Sequence, residues 1–384
     1  MKSYTLKLTA LTPIHIGMGE DFEPTNFVID GNKLYEFDES VFFRKLNKEG
    51  KQAFLQAVDS KAADALFGIH RVIKTHKQAA IDSASLKVQV SKGIAKSYEN
   101  KVGRVVQQEG GRRIDPRRIF NQFQIQRTMR QPNTKYPYIP GSSLKGAIST
   151  AFQEMLFKQN PRLRERFFEN RNPTHHLFKN LLVADTLPKK IYAMVGYGLN
   201  KERFEEDDQG PKVMLEAIYA DEKVQSMFDA KISTRDYLID PTHPDQTYPI
   251  DIETIQETCN AHYLPIFRQM FQPYTTFKGR KVDDFTNEYF SEAFYNRYKD
   301  FQLKDNQFLL RVGKHSQARA VTIDGMRNIR VKVSGGGPKR KPNKWETLDQ
   351  ETTTWFFGGS EYSNENLLPF GWVLCDIIEK KDGL

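Results

Sequence analysis

Tyr136-Pro-Tyr-Ile-Pro-Gly-Ser-Ser-Leu-Lys-Gly-Ala-Ile-Ser-Thr-Ala-Phe152 opens as a proline-bounded extended segment and then changes period. Leu144, Ala147, Ile148, Ala151, Phe152, Met155 and Leu156 recur at alternating spacings of three and one, which places them on one face of an α-helix. Ser142 or Ser143 is the expected cap, because a hydroxyl there can accept from the unpaired amides of the first turn. Burying each of the larger side chains stabilises by roughly 1.5–3 kcal/mol, so the stripe holds the helix more than intrinsic propensity does. Gly146 weakens that propensity and wants a reason. Close approach of a backbone or ligand at the helix start is one reason, and tight helix–sheet packing is another.

Upstream, Tyr4, Leu6 and Leu8 share one face with polar residues opposite, the period of a half-buried strand. Phe27, Val28 and Ile29 are separated from Leu34 and Tyr35 by Asp30-Gly-Asn-Lys33, a hairpin signature. Asp38 or Ser40 can then cap a helix running through Val41, Phe42 and Leu46 toward Ala53 and Leu55. From about residue 69 to 135 the pattern degrades, which predicts an inserted basic segment with its tip at 107–113. The alternation over 123–128 predicts a protruding hairpin there, with arginine on its exposed faces. Residues 161–305 read as a mixed, helix-rich region with an aromatic stretch at 285–301 and an acidic loop at 205–209. Residues 306–384 read as strands punctuated by glycine. The expected architecture is α+β: a unit at 1–160 carrying the insertion, a mixed helical region at 161–305, and a strand-rich segment at 306–384 that completes the first core.

Charge is distributed unevenly. The formal net charge is +9 over 384 residues, but 92–135 carries +8 and 311–344 carries +9, leaving the remainder at −8. Two such islands cost folding energy through self-repulsion, and a polyanion would explain them. Arginine dominates the first island, with Arg112, Arg113, Arg117, Arg118, Arg127 and Arg130, and the second carries Arg311, Arg319, Arg327 and Arg330 beside Lys314 and Lys332. Its planar fork suits phosphate and stacks on bases. Tyr98, Phe120, Phe123, Tyr136 and Tyr138 accompany the first island, and Trp345 and Trp355 follow the second, the interleaving expected of single-stranded RNA binding. A solvated basic loop is the bland alternative.

Two cysteines, Cys259 and Cys375, exclude a cysteine-built zinc site and fit a reducing, cytoplasmic setting. The first residues alternate instead of forming a signal peptide's apolar run, and no stretch of about 18 apolar residues predicts a membrane span. A P-loop is excluded because Gly141 is followed by Ser-Ser-Leu before Lys145-Gly146. Glu20 with Asp21, His175 with His176, and Cys259 with His262 each supply too few ligands for a metal site, so neither metal nor cofactor is expected. His15, His70, His76 and His315 lie near basic or glycine-containing segments, and one could act as the general base of a metal-independent endoribonuclease. A structural protein whose islands bind an acidic neighbour is the third class. The start of the 144–156 helix favours a phosphate, since its free amides and partial positive charge are joined by Ser142, Ser143 and Lys145.

Leu11-Thr-Pro-Ile-His-Ile-Gly-Met-Gly-Glu20, Tyr138-Ile-Pro-Gly-Ser-Ser-Leu-Lys-Gly-Ala-Ile148 and Leu368-Pro-Phe-Gly-Trp-Val373 together resemble the RAMP proteins of CRISPR effector complexes, most closely the fifth-named Csm subunit of type III-A systems. The resemblance implies a ferredoxin-like (RRM-like) core with room for two such modules, inserted hairpins and a basic loop. It implies a subunit without nuclease activity, capping a ribonucleoprotein filament and holding the 3′-proximal part of the guide crRNA. Its neighbours would be a RAMP backbone subunit and the small subunit, with a recruited host nuclease completing guide maturation. The family's backbone-contacting turn falls on Gly141, Ser142, Ser143 and Lys145. His15 and Gly17 of the first motif, the arginines named above at 112–130, and Lys314, Arg319, Arg327, Arg330 and Lys332 complete the expected RNA-binding set. The sequence departs from the family at 311–320, where a denser glycine-rich loop is usual and only Gly313 stands.

Overall fold

The computed structural model describes residues 1–60, 62–105, 123–160, 177–204, 210–235, 237–239, 247–333 and 344–381. The elements that build its first sheet are, in chain order, β1 (Lys2–Ala10), α1 (Gly141–Gln159), β2 (Leu181–Val183), β3 (Met227–Thr234), α2 (Ile252–Gln269), β4 (Gln307–Arg311) and β5 (Trp372–Lys381). Tyr4, Leu6 and Leu8 alternate into the core as their period predicts. β1 is antiparallel to β3 on one side and to β5 on the other, and the order across the sheet is β4-β5-β1-β3-β2. α1 and α2 pack on one another and on β4. Tyr263 on α2 is buried and donates its hydroxyl to the Ala147 carbonyl at 2.9 Å, so the two helices are pinned at mid-length.

A second sheet runs in the order Gly17–Phe22, Ile125–Thr128, Lys212–Ile218, Ala193–Glu202, Ala84–Val90, Lys33–Phe37, Phe27–Asp30, with Thr353–Gly358 paired to the far half of Ala193–Glu202. Both sheets feed one apolar core, and a small satellite core around Phe37, Phe42 and Ile73 lies outside it. No helix among the described residues is long and apolar enough to cross a membrane. The fold is mixed α+β with several sheets.

Several expectations change. The hairpin turn is tighter than predicted: Asp30 pairs with Lys33, and Gly31 takes a left-handed φ of 56°. The helix beginning at Asp38 breaks after Lys45, where Leu46 turns extended and Asn47 caps a second helix, Lys48–Val58. The insertion does not start at 69. Helices at 62–75, 77–82 and 92–105 surround Ala84–Val90, which is an interior strand of the second sheet. Ile125–Thr128 is likewise no protruding hairpin but lies between Gly17–Phe22 and Lys212–Ile218, with Phe123 and Ile125 fully buried. The region expected to be helix-rich is largely strand from 181 to 249, and only α2 and Glu292–Tyr298 are its α-helices among the described residues.

Candidate nucleic-acid interface

The three motif stretches meet at the seam between the two sheets. The first carries the chain out of β1 into the second sheet, and the third returns it from Leu368–Pro369 into β5. Leu11 N–H donates to the Trp372 carbonyl at 2.9 Å, Trp372 N–H to Thr12 Oγ1 at 3.0 Å, and Gly371 N–H to the Pro13 carbonyl at 2.8 Å. The loop after β4 joins them, since Val312 N–H donates to the Gly371 carbonyl at 2.9 Å and Lys314 N–H to the His15 carbonyl at 2.8 Å. On the other side Met129 N–H donates to the Ile16 carbonyl at 2.6 Å and Tyr138 N–H to the Met129 carbonyl at 3.3 Å, which leads into the second motif and α1. Segments over 350 residues apart in sequence therefore form one hydrogen-bonded ribbon.

At the start of α1 the cap is Pro140, not Ser142 or Ser143, and no side chain caps it from within the helix. Asp185, contributed from beyond β2, accepts from Gly141 N–H at 2.8 Å. Gly141 is required by packing, because a Cβ there would land in the Val183 carbonyl. That leaves Ser142 exposed and Ser143 and Lys145 half-buried in the first turns, and burial lowers the proton affinity of Lys145. Packing against the described residues does not explain Gly146, because its Cβ would find none of their atoms within 4 Å.

Gly313, His315 and Gln317 take φ values of 88°, 67° and 64°, so the loop has the backbone of a glycine-rich segment without its glycines. Such conformations cost a non-glycine residue on the order of 1–3 kcal/mol and persist where the surroundings over-determine them. Here Gln317 accepts from Arg311 at 2.7 Å and donates to Thr354 at 2.6 Å, while the His315 ring lies 4.2 Å from that of Trp355. His15 is buried beside it, with ring centroids 6.4 Å apart, and its Nδ1 hydrogen-bonds the Glu216 carbonyl at 2.7 Å. Burial lowers both imidazoles, His315 to about 3, and each keeps an Nε2 without a hydrogen-bond partner among the described residues. Gly17 is exposed, 3.6 Å from His15 Nε2 by its would-be Cβ.

The arginines divide differently from the sequence expectation. Arg127 forms a two-pronged pair with Glu36 at 2.7 and 3.1 Å and lies 4.5 Å over the Phe22 ring. Arg130 is buried and ion-paired with Glu216. Arg319 pairs with Glu351 at 2.9 Å, and Arg327 with Asp324 at 3.0 Å. The charge of these four is met inside the chain by carboxylates. Arg330 remains exposed, 5.4 Å from the Trp345 ring, on a strand where Lys332 faces Trp345 in register. Lys314 is exposed and donates to Gln126 at 2.9 Å, so the described parts of the two islands do touch. Arg112, Arg113, Arg117 and Arg118 lie outside the described residues.

Sequence reasoning missed Glu216, whose carboxylate receives Arg130 and the Thr128 amide while its carbonyl holds His15. The available signal was a lone carboxylate in the apolar run Val213–Ala220. Glu154 was missed too: burial would raise its carboxyl, but His262, Lys158 and the Asp324 amide outweigh that and hold it at about 2. Cys259 is a buried thiol pushed up by burial, and His262 faces Glu154 at 3.0 Å, so this pair serves the helix packing.

Comparison with known proteins agrees with this arrangement. A protein called CRISPR system Cms protein Csm5, from Streptococcus thermophilus, is 23% identical over 338 residues, covering 79% of this chain and 72% of its own. A chain in the cryo-EM structure of a Csm–crRNA–target RNA ternary complex of a type III-A CRISPR-Cas system superposes with a TM-score of 0.57 at 17% identity, over 98% of this chain and 100% of that one. The crystal structure of Csm5 from T. onnurineus gives 0.48 at 14% identity, covering 97% and 100%. The RAMP superfamily model matches residues 7–317, and the chain belongs to the RAMP superfamily.

Proposed function

We propose that the chain is a Csm5-like, non-catalytic RNA-holding subunit of a cytoplasmic type III-A CRISPR ribonucleoprotein, gripping the 3′-proximal part of the guide crRNA at the end of the filament. A RAMP backbone subunit and the small subunit are its neighbours in this reading, and a recruited host nuclease finishes the guide. The order β5-β1-β3-β2, with α1 following β1 and α2 following β3, supports reading the first sheet as a ferredoxin-like module. The observation that carries the binding role is Gly146. A helix-interior glycine costs roughly 0.5–1 kcal/mol relative to alanine, and no atom of the described residues needs the space it leaves. An external backbone approaching the first turns of α1 does need it, and Lys145 and the Ser142 hydroxyl stand there to meet a phosphate.

The endoribonuclease alternative gains one observation, the pairing of His15 and His315. Burial nevertheless makes both rings weaker bases, His15 is 1% exposed, and the Nε2 of each ring is buried, away from any ribose hydroxyl a base must reach. The binding reading is tested with the purified chain and a labelled single-stranded RNA. Neutralising about six to ten phosphates should cost about 10³- to 10⁵-fold in affinity between about 50 and 200 mM salt. Lys145→Ala, and alanine at Arg112, Arg113, Arg117 and Arg118, should weaken retention and flatten that slope without unfolding the chain. Unchanged retention, or a flat slope for the wild type, sinks the assignment. RNA cleavage that disappears in His15→Ala would establish the alternative.

A further inference from the structure

Where Ala84–Val90 and Ala193–Glu202 diverge, a groove of about 660 Å³ opens, a size that accommodates a small ligand. The two strands pair only at Gln89–Met194 and Val90–Val195, so the earlier part of Ala84–Val90 has its second edge turned to the groove. Apolar side chains, among them Leu86 and Met194, make its floor, and Lys87, Lys135, Tyr136 and Tyr192 line it. No carboxylate of the described residues lines it, although the chain outside the two islands is acidic. Arg130 also reaches the groove, but Glu216 meets its charge.

One side of the groove is a braced turn. Gln131 N–H donates to the Tyr136 carbonyl at 2.9 Å, Lys135 N–H donates to the Gln131 carbonyl at 3.0 Å, and the Arg130 guanidinium holds the Lys135 carbonyl. The bracing keeps Lys135 at a φ of 59°, a left-handed conformation that lysine rarely adopts, and leaves Tyr136 57% exposed. An exposed ring in a groove lined by two lysines, one of them with its ammonium over the neighbouring Tyr35 ring, matches a flat π-faced group bearing negative charge. Tyr136 also lies five residues before Gly141, at most about 18 Å along an extended chain from the start of α1.

We propose that this groove receives one unpaired nucleotide of the RNA held at α1, its base against Tyr136 and its phosphate toward Lys87 and Lys135. The inference rests on the RNA-binding reading and adds a base subsite to it. Gln89 and Asn133 offer amides to the base edge, and an amide that both donates and accepts admits more than one base.

The test compares the wild-type full chain with Tyr136→Ala and Ser85→Glu, both at exposed positions of the groove, using a labelled single-stranded RNA and the same RNA carrying 4-thiouridine. Tyr136→Ala should weaken binding about tenfold to a hundredfold, the range for losing one stacked base, and leave the salt slope unchanged because no phosphate contact is removed. Ser85→Glu, which places a carboxylate in the groove, should weaken it as well, and the thio-base should cross-link within 131–137. Wild-type affinity in both variants, or cross-links confined to other segments, overturns the subsite while leaving the steep wild-type salt slope, and hence the broader reading, intact. Tyr136-dependent binding of free uridine or adenosine monophosphate without any effect on RNA overturns it in favour of a free-nucleotide site. Loss of assembly with a neighbouring subunit at unchanged RNA affinity overturns it in favour of a protein partner. A wild-type chain that binds RNA without salt dependence defeats the broader reading and this one together.

Discussion

Glu216 has no exposed side-chain surface, and its two oxygens and carbonyl serve Arg130, the Thr128 amide and His15. Removing one partner of such a buried pair strands the other charge, which typically costs about 3–5 kcal/mol, whereas replacing both by apolar groups is far milder. Glu216→Ala should therefore lower the urea midpoint sharply, and the Arg130→Met/Glu216→Leu double variant should recover most of the loss. Equal loss in the double variant would show that the cost lies elsewhere than in the ion pair. The pairing was hidden in the sequence because the partners stand 86 residues apart, and Arg127 and Glu36 stand 91 apart. An arginine in a basic window looks solvent-directed until the strand beneath it is placed, and here that strand is interior.

At the scale of the element, α1 was legible because its stripe is long: six of the seven apolar positions named from spacing are buried and the seventh, Met155, is partly buried. Its start was not, since the residue that accepts from Gly141 N–H is Asp185, 44 positions downstream. The two glycines of this start give opposite expectations. Gly141→Ala drives a Cβ into backbone and should destabilise by about 1–3 kcal/mol, as overpacking does. Gly146→Ala enters open space and should stabilise by roughly 0.5–1 kcal/mol while weakening RNA retention. Thermal unfolding and an RNA-binding titration on the two variants check both signs, and a Gly146→Ala variant with undiminished retention would count against a backbone seated there. The loop after β4 shows the converse case. It departs from the family's glycine-rich pattern, yet His315 and Gln317 hold left-handed conformations because Trp355, Arg311 and Thr354 fix their side chains.

The whole molecule joins two sheets along a seam lined with neutral imidazoles, and this sets its response to acid. His15 and His315 lie at the seam and His70 is buried in the helices beside it; burial lowers all three, His70 to about 4 and His315 to about 3. Below their ordinary 6.5 the unfolded chain takes up protons that the folded chain refuses until those lower values, so stability present above 6.5 drains away as pH falls. By about pH 5.5 His70 and His315 should each contribute roughly 1 kcal/mol of loss and His15 acts in the same direction, read as a falling urea midpoint from about pH 7.5, with His70→Gln flattening the decline. Glu154, held at about 2, acts only in stronger acid, and Glu36, pushed up by burial, works in the opposite sense nearer its own range. The central position of β1 has a temporal corollary. Its companion β5 is more than 360 residues downstream, so at roughly 5–20 residues per second a ribosome needs about 20–75 s before that companion exists. Both edges of the nascent amino-terminal strand are bare until Met227–Thr234 is made and one stays bare after it, a template for unwanted pairing that must be shielded by chaperones or wait unpaired until translation has delivered Trp372–Lys381.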